Sequence, residues 1–162
     1  MAPQKWDEEG PAICPRYDPA KNPLRRRAPV QKPDFVVRRD RKIIAVLDAK
    51  YRDLWERALP REMLYQLALY ALGQSGPTRR AAILYPTMET AAREQTIVVQ
   101  EPVGGVSQAE VVMRPVRLFE LDELVRDRGP HAGRRRGDYA AQLAFGDQEV
   151  MKDARTMGGD AD

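Results

Sequence analysis

Lys42-Ile43-Ile44-Ala45-Val46-Leu47-Asp48-Ala49-Lys50-Tyr51 is the stretch whose reading decides the fold of this chain. Apolar residues fall on both parities as far as Leu47, the pattern of a strand buried on both faces and so central in its sheet. Upstream, Asp34-Phe35-Val36-Val37 is a second short apolar run, and the turn-like Arg38-Arg39-Asp40-Arg41 separates the two. The pair predicts a β-hairpin. Downstream, Pro60 opens a helix running to about Leu72, because proline is tolerated in a first helical turn. Leu64, Leu67, Ala68 and Ala71 recur at the spacing of one apolar helix face, and Gly73 is a natural stop.

Three further strands are expected around 81–85, 96–99 and 111–116, with Pro115 placing the last at an edge or breaking it. A short helix is expected over 118–126, a basic loop over 129–137 carrying Arg134, Arg135 and Arg136, and a final helical turn or two over 138–145. Six prolines before residue 30 forbid a long helix or central strand there. The chain therefore divides into a proline-rich arm (1–23), an α/β domain (24–128), a basic loop with a short helix (129–145), and a polar, net acidic tail (146–162) expected to be disordered.

At 162 residues, 43% hydrophobic and 31% charged, the chain suits one domain with a real core. The formal charge of +3 is modest, but Arg16 to Lys42 holds ten cationic side chains against three acidic ones. That stretch reads equally as a solvated loop or as a phosphate-contacting patch, in which Arg25, Arg26, Arg27 and Lys32 are the candidate DNA contacts. One cysteine, Cys14, and one histidine, His131, rule out an intrachain disulfide and leave too few ligands for a Cys/His zinc centre. Any catalysis must rest on carboxylates, lysine, arginine, tyrosine or hydroxyls. No apolar run approaches the ~20 residues that span a bilayer, so the expectation is a soluble cytoplasmic protein with no membrane partner.

Asp48 and Lys50 lie two apart and so share a strand face, with Val46 and Ile44 behind them. Tight pairing of the hairpin brings Asp34 to the same end. Two carboxylates and an ammonium at the rim of a buried sheet are costly unless something binds them. Oxygen ligands from Asp34, Asp48 and the Ala49 backbone carbonyl suit a hard cation such as Mg²⁺. Lys50 beside it can orient a water and offset charge growing on a phosphate. Asp40-Arg41-Lys42 has the same spacing as Asp48-Ala49-Lys50 but sits in a polar turn with no apolar strand behind it, and reads as solvated surface. Gln66 and Tyr70, four apart on one helix face, flank the charged edge, and Glu62 shares their face one turn earlier. Trp55 reads as filling the edge of the core, with base stacking the weaker alternative.

Pro33-Asp34, Asp48-Ala49-Lys50-Tyr51 and Gln66-x-x-x-Tyr70, with Ile83-Leu84-Tyr85-Pro86 beyond them, resemble the PD-(D/E)XK nuclease superfamily. More narrowly, they are similar to the nuclease domain of McrC, the cleavage subunit of the McrBC 5-methylcytosine restriction system. The resemblance spans roughly 24–125. It implies a restriction-endonuclease-like mixed central β-sheet flanked by helices, and Mg²⁺-dependent endonucleolytic hydrolysis of DNA, with Mn²⁺ as a substitute. It also implies Asp34 and Asp48 as metal ligands, Lys50 as the catalytic lysine, and Gln66 and Tyr70 as active-site support. The partners implied are DNA, an McrB-like AAA+ GTPase and, for double-strand cleavage, a second copy of the chain. A catalytically silent DNA-binding module and a structural subunit of a restriction or repair complex are the alternatives.

Overall fold

The computed structural model describes residues 17–28, 32–39, 42–74 and 79–146. The expected tail from 147 onward, most of the arm before residue 17, and the tip of the hairpin at Asp40 and Arg41 lie outside the described residues.

The hairpin forms as read: β1 (Phe35–Arg39) pairs antiparallel with β2 (Lys42–Ala49). Helix α1 (Arg61–Leu72) crosses from β2 to β3 (Arg80–Thr87), which lies parallel to β2. A second hairpin, β4 (Gln95–Gln100) and β5 (Ser107–Arg117), follows, and its second strand inserts beside β3 in parallel. Helices α2 (Leu118–Arg126) and α3 (Ala132–Phe145) complete the chain. The result is an α/β fold with a five-stranded mixed sheet in the order β1-β2-β3-β5-β4.

The two faces of the sheet carry different helices. Val46, Ile83, Tyr85, Val111 and Met113 pack against Leu67, Tyr70 and Ala71 of α1. On the other face, Leu47, Ala82 and Val112 meet Val37, Leu84 and Ala144 of α3. Alternation along each strand does this sorting, and burying a side chain such as Leu67 or Ile83 is worth roughly 1.5–3 kcal/mol.

Three sequence expectations change. The register slips between Val37 and Arg38, which face Ala45 and Ile43, so Ile44 is the extra residue of a bulge. Ile43 therefore packs beside Val46 on the α1 side, while Ile44, expected on that face, is 37% exposed. Pro115 neither breaks β5 nor puts it at the edge of the sheet. Since β4 begins at Gln95 opposite Met113, β5 has a strand neighbour on only one side by the time it reaches Pro115, and a missing N–H is tolerated there. Finally, Arg134, Arg135 and Arg136 belong to α3 and not to a loop. Arg136 donates to the Leu124 and Asp127 carbonyls and Arg135 pairs with Asp127, so two of the three arginines tie α3 to the end of α2.

No described helix is long and apolar enough to cross a membrane.

Candidate active site at the end of the second strand

Strand β2 carries Asp48 out of the core and onto the α1 side, at the end where the parallel strands β2 and β3 terminate. Ligands in open α/β sheets bind outside the carboxyl ends of such strands. Asp48 is 2% exposed, an unusual position for a carboxylate. Lys50 Nζ forms an ion pair with Asp48 Oδ2, yet no well-directed hydrogen bond reaches that buried oxygen. Burial is the main cause that raises the Asp48 pKa above the usual carboxylate range. Lys50 opposes the shift, and the adjoining Asp34 carboxylate adds to it by like-charge repulsion. Asp34, Asp48 and Lys50 are thus brought together.

Asp34 is exposed at the rim, and its Oδ2 accepts a hydrogen bond from the Ala49 N–H at 2.8 Å. That bond fixes the direction of the Ala49 peptide. In a strand the N–H and C=O of one residue point to the same side, so the Ala49 carbonyl faces the β1 side. The next amide, Lys50 N–H, turns the other way and donates to Leu84 O of β3. Extending the β1–β2 register by two pairs, past Asp34 and Asp48, sets Pro33 opposite Ala49. Proline has no N–H to give, so this position supplies no ladder donor to the Ala49 carbonyl. In Pro33→Ala the restored N–H competes for that carbonyl. If a divalent cation uses that carbonyl, Mg²⁺ affinity, read from the cation's shift of the melting temperature, is expected to fall about three- to tenfold in this variant, the worth of one hydrogen bond.

Gln66 and Tyr70 of α1 close the inner wall. Gln66 Nε2 donates to Tyr70 Oη at 2.7 Å, the contact that a four-residue spacing permits. Tyr70 is completely buried, deeper than a flanking residue would be. Burial pushes its pKa up; Gln66 opposes that, and the charges of Asp48, Lys50 and Asp34 all reach it. The five candidate residues read from the sequence are therefore brought together. Glu62 stands exposed in the first turn of α1, and Trp55 packs half-buried on the α1-side core, the filling role expected of it.

Arg25, Arg26, Arg27 and Lys32 are exposed. Arg26 is held in a local turn by reciprocal bonds with Asn22, not by the acid–lysine cluster. Sequence reasoning missed Asp53, whose carboxylate accepts from the buried Thr87 hydroxyl at 2.7 Å and from Trp55 N–H at 2.8 Å. These bonds fasten the loop that follows Lys50 to the end of β3. An Asp two residues before Trp55 was the available signal, since an Asx turn forms at that spacing.

Compared with protein-family models, with curated proteins and with solved structures, the chain matches none.

Proposed function

We propose that this protein is a metal-dependent DNA endonuclease with a restriction-endonuclease-like core, of the McrC kind. The observation that carries the reading is the convergence of Asp34, Asp48 and Lys50 at the open end of β2, with the Asp48 carboxylate buried there. The sheet supports it too: a hairpin, a crossover helix and a parallel third strand put the acids at a strand end and the lysine beside them.

The donor set fits a hard divalent cation. Asp34, Asp48 and the Ala49 carbonyl would hold it, with water filling the remaining positions, as Mg²⁺ prefers. When bound, the ion supplies Lewis-acid polarisation of a phosphoryl oxygen and a more acidic water. The chain's own residues do the rest. Asp48 holds the Lys50 ammonium at the rim, where its N–H groups orient the attacking water and offset negative charge growing on the phosphate. The Gln66–Tyr70 pair stiffens the wall behind Asp48. The cationic stretch Arg25–Lys32 is suited to phosphates flanking the scissile bond. An McrB-like GTPase remains the motor partner this reading implies, and the cytoplasm its compartment.

The test is incubation of purified protein with supercoiled plasmid and Mg²⁺ or Mn²⁺, beside Asp48→Ala and Lys50→Ala. Nicked or linear product is expected from wild type only, with each variant slower by at least about a thousandfold. Equal cutting by all three would refute the assignment. Salt-sensitive binding with no cleavage under any condition would favour the silent DNA-binding module instead.

A further inference from the structure

The sheet has two edges, and they are protected very differently. β1 is five residues long, ends on Arg38 and Arg39, and follows a proline. Each of these features blunts an edge against pairing with another strand. β4, at the opposite edge, reads Gln95-Thr96-Ile97-Val98-Val99-Gln100. It has no charge and no proline, and three β-branched apolar residues at its centre. Its only strand partner is β5, and among the described residues no strand lies beyond it. Val98 is 44% exposed.

The pattern of β4 specifies its partner. Two copies of one strand pair antiparallel about a two-fold axis perpendicular to the sheet, and that axis keeps each face on its own side. Directly opposed residues must then share a face, so the axis has to pass through a residue, not between two. Centred on Val98, the pairing sets Val98 against its own counterpart, Ile97 against Val99 of the second copy, and Thr96 against Gln100. Ile97 and Val99 both pack on the α1-side core, so the face rule is met and apolar meets apolar. No like charges are opposed anywhere from Gln95 to Gln100.

We infer that β4 is the interface through which two copies of this chain join, in antiparallel register about Val98, into one continuous ten-stranded sheet. The inference does not depend on the nuclease reading. Asp48 sits on β2, three strands from β4, and the two copies of β2 are seven strand spacings apart, about 34 Å along the sheet. Each site is therefore complete within one copy, and separating the copies leaves it intact.

Sedimentation equilibrium of the full chain is expected to show a species of twice the 18.4 kDa chain mass. Val98→Lys sets two ammonium groups against each other on the axis, and is expected to weaken association at least about a hundredfold with an unchanged far-UV spectrum. As a variant that keeps the apolar strand, Val98→Cys in a Cys14→Ser background is expected to form a disulfide-linked dimer under mild oxidation. Val103→Cys, at a residue 92% exposed in the β4–β5 turn, is the control that should not. A wild-type chain that stays monomeric to several hundred micromolar overturns the proposal. So does cross-linking through position 103 that equals that through 98.

Discussion

Asp48→Asn is expected to abolish cleavage and, in the absence of divalent cations, to raise the melting temperature at neutral pH. Both effects come from one carboxylate. Asp48 is buried, and desolvation raises its folded-state pKa above the unfolded value near 3.8. The native state thus favours the protonated form. An acid shifted in this direction contributes stability below its unfolded pKa, and that contribution is lost as pH rises through the folded pKa. Above the folded pKa it is gone, and the fold carries a charged group that it would prefer neutral. Asparagine keeps the shape and removes the charge. Lys50 loses its partner, but its side chain is 25% exposed and can rehydrate. The net gain is about 1 kcal/mol, or roughly 2–4 °C for a domain of this size. The advantage should vanish as pH falls toward 3.8, where the wild-type carboxyl is also neutral. On the proposed reading Mg²⁺ is expected to reverse the order, because a cation at a hundred times its dissociation constant would stabilise the wild type by about 2.7 kcal/mol and have little to hold it in the variant. A variant less stable than wild type at pH 7, combined with equal Mg²⁺ shifts in both proteins, would mean that Asp48 and Lys50 are only a structural ion pair.

The site was legible because its positions obey the two simple periods. Asp48 and Lys50 share a face by the two-residue repeat of a strand, and Gln66 and Tyr70 meet by the four-residue repeat of a helix. Asp34 reaches them through a hairpin whose two apolar runs can be read directly. What the sequence hid depends on partners distant in the chain. The bulge at Ile44 is set by how β1 and β2 settle against each other, and nothing local marks Ile44 over Ile43. The order of the strands places β5 between β3 and β4, so the second hairpin inserts by its later strand. A pattern of alternating residues says that a strand is buried without saying beside what. Helix α3 was read as a loop over its first part, 132–137, because Gly133, Gly137 and three consecutive arginines all weaken a helical reading there. It forms because its far end has a docking place: Ala144 on the sheet, and a residue whose type gave no hint of burial.

That residue is Arg114, and Arg114→Leu is expected to detach the end of α3 and lower the melting temperature by about 10 °C. Arg114 is 4% exposed, on the α3 side of β5. Its Nε pairs with Glu94 Oε2 at 2.6 Å, and its Nη1 donates to the Leu143 carbonyl at 2.5 Å in the last turn of the helix. A cation there completes an orphan carbonyl and complements the negative end of the helix dipole. Gly146 closes over the guanidinium at φ 81°, and a Cβ in its place would stand 2.9 Å from Nη2. Leucine fills much of the volume but leaves the Leu143 carbonyl without its donor. Glu94, with its side chain 40% exposed, returns to water at small cost. The loss is then about 2–4 kcal/mol, dominated by the helix end and not by the ion pair. Arg114→Lys should recover little of it, since one ammonium cannot keep the planar fork's bonds to a carboxylate and a carbonyl on different elements. Hydrogen exchange locates the damage: amides of 140–146 should lose protection before those of β2 and β3. Because α3 and the acid–lysine cluster occupy opposite faces of the sheet, the stabilisation by Mg²⁺ that the proposed function predicts should persist in the folded variant. A uniform loss of protection across the sheet, or a change in melting temperature of less than about 2 °C, would show that Arg114 does not hold the helix.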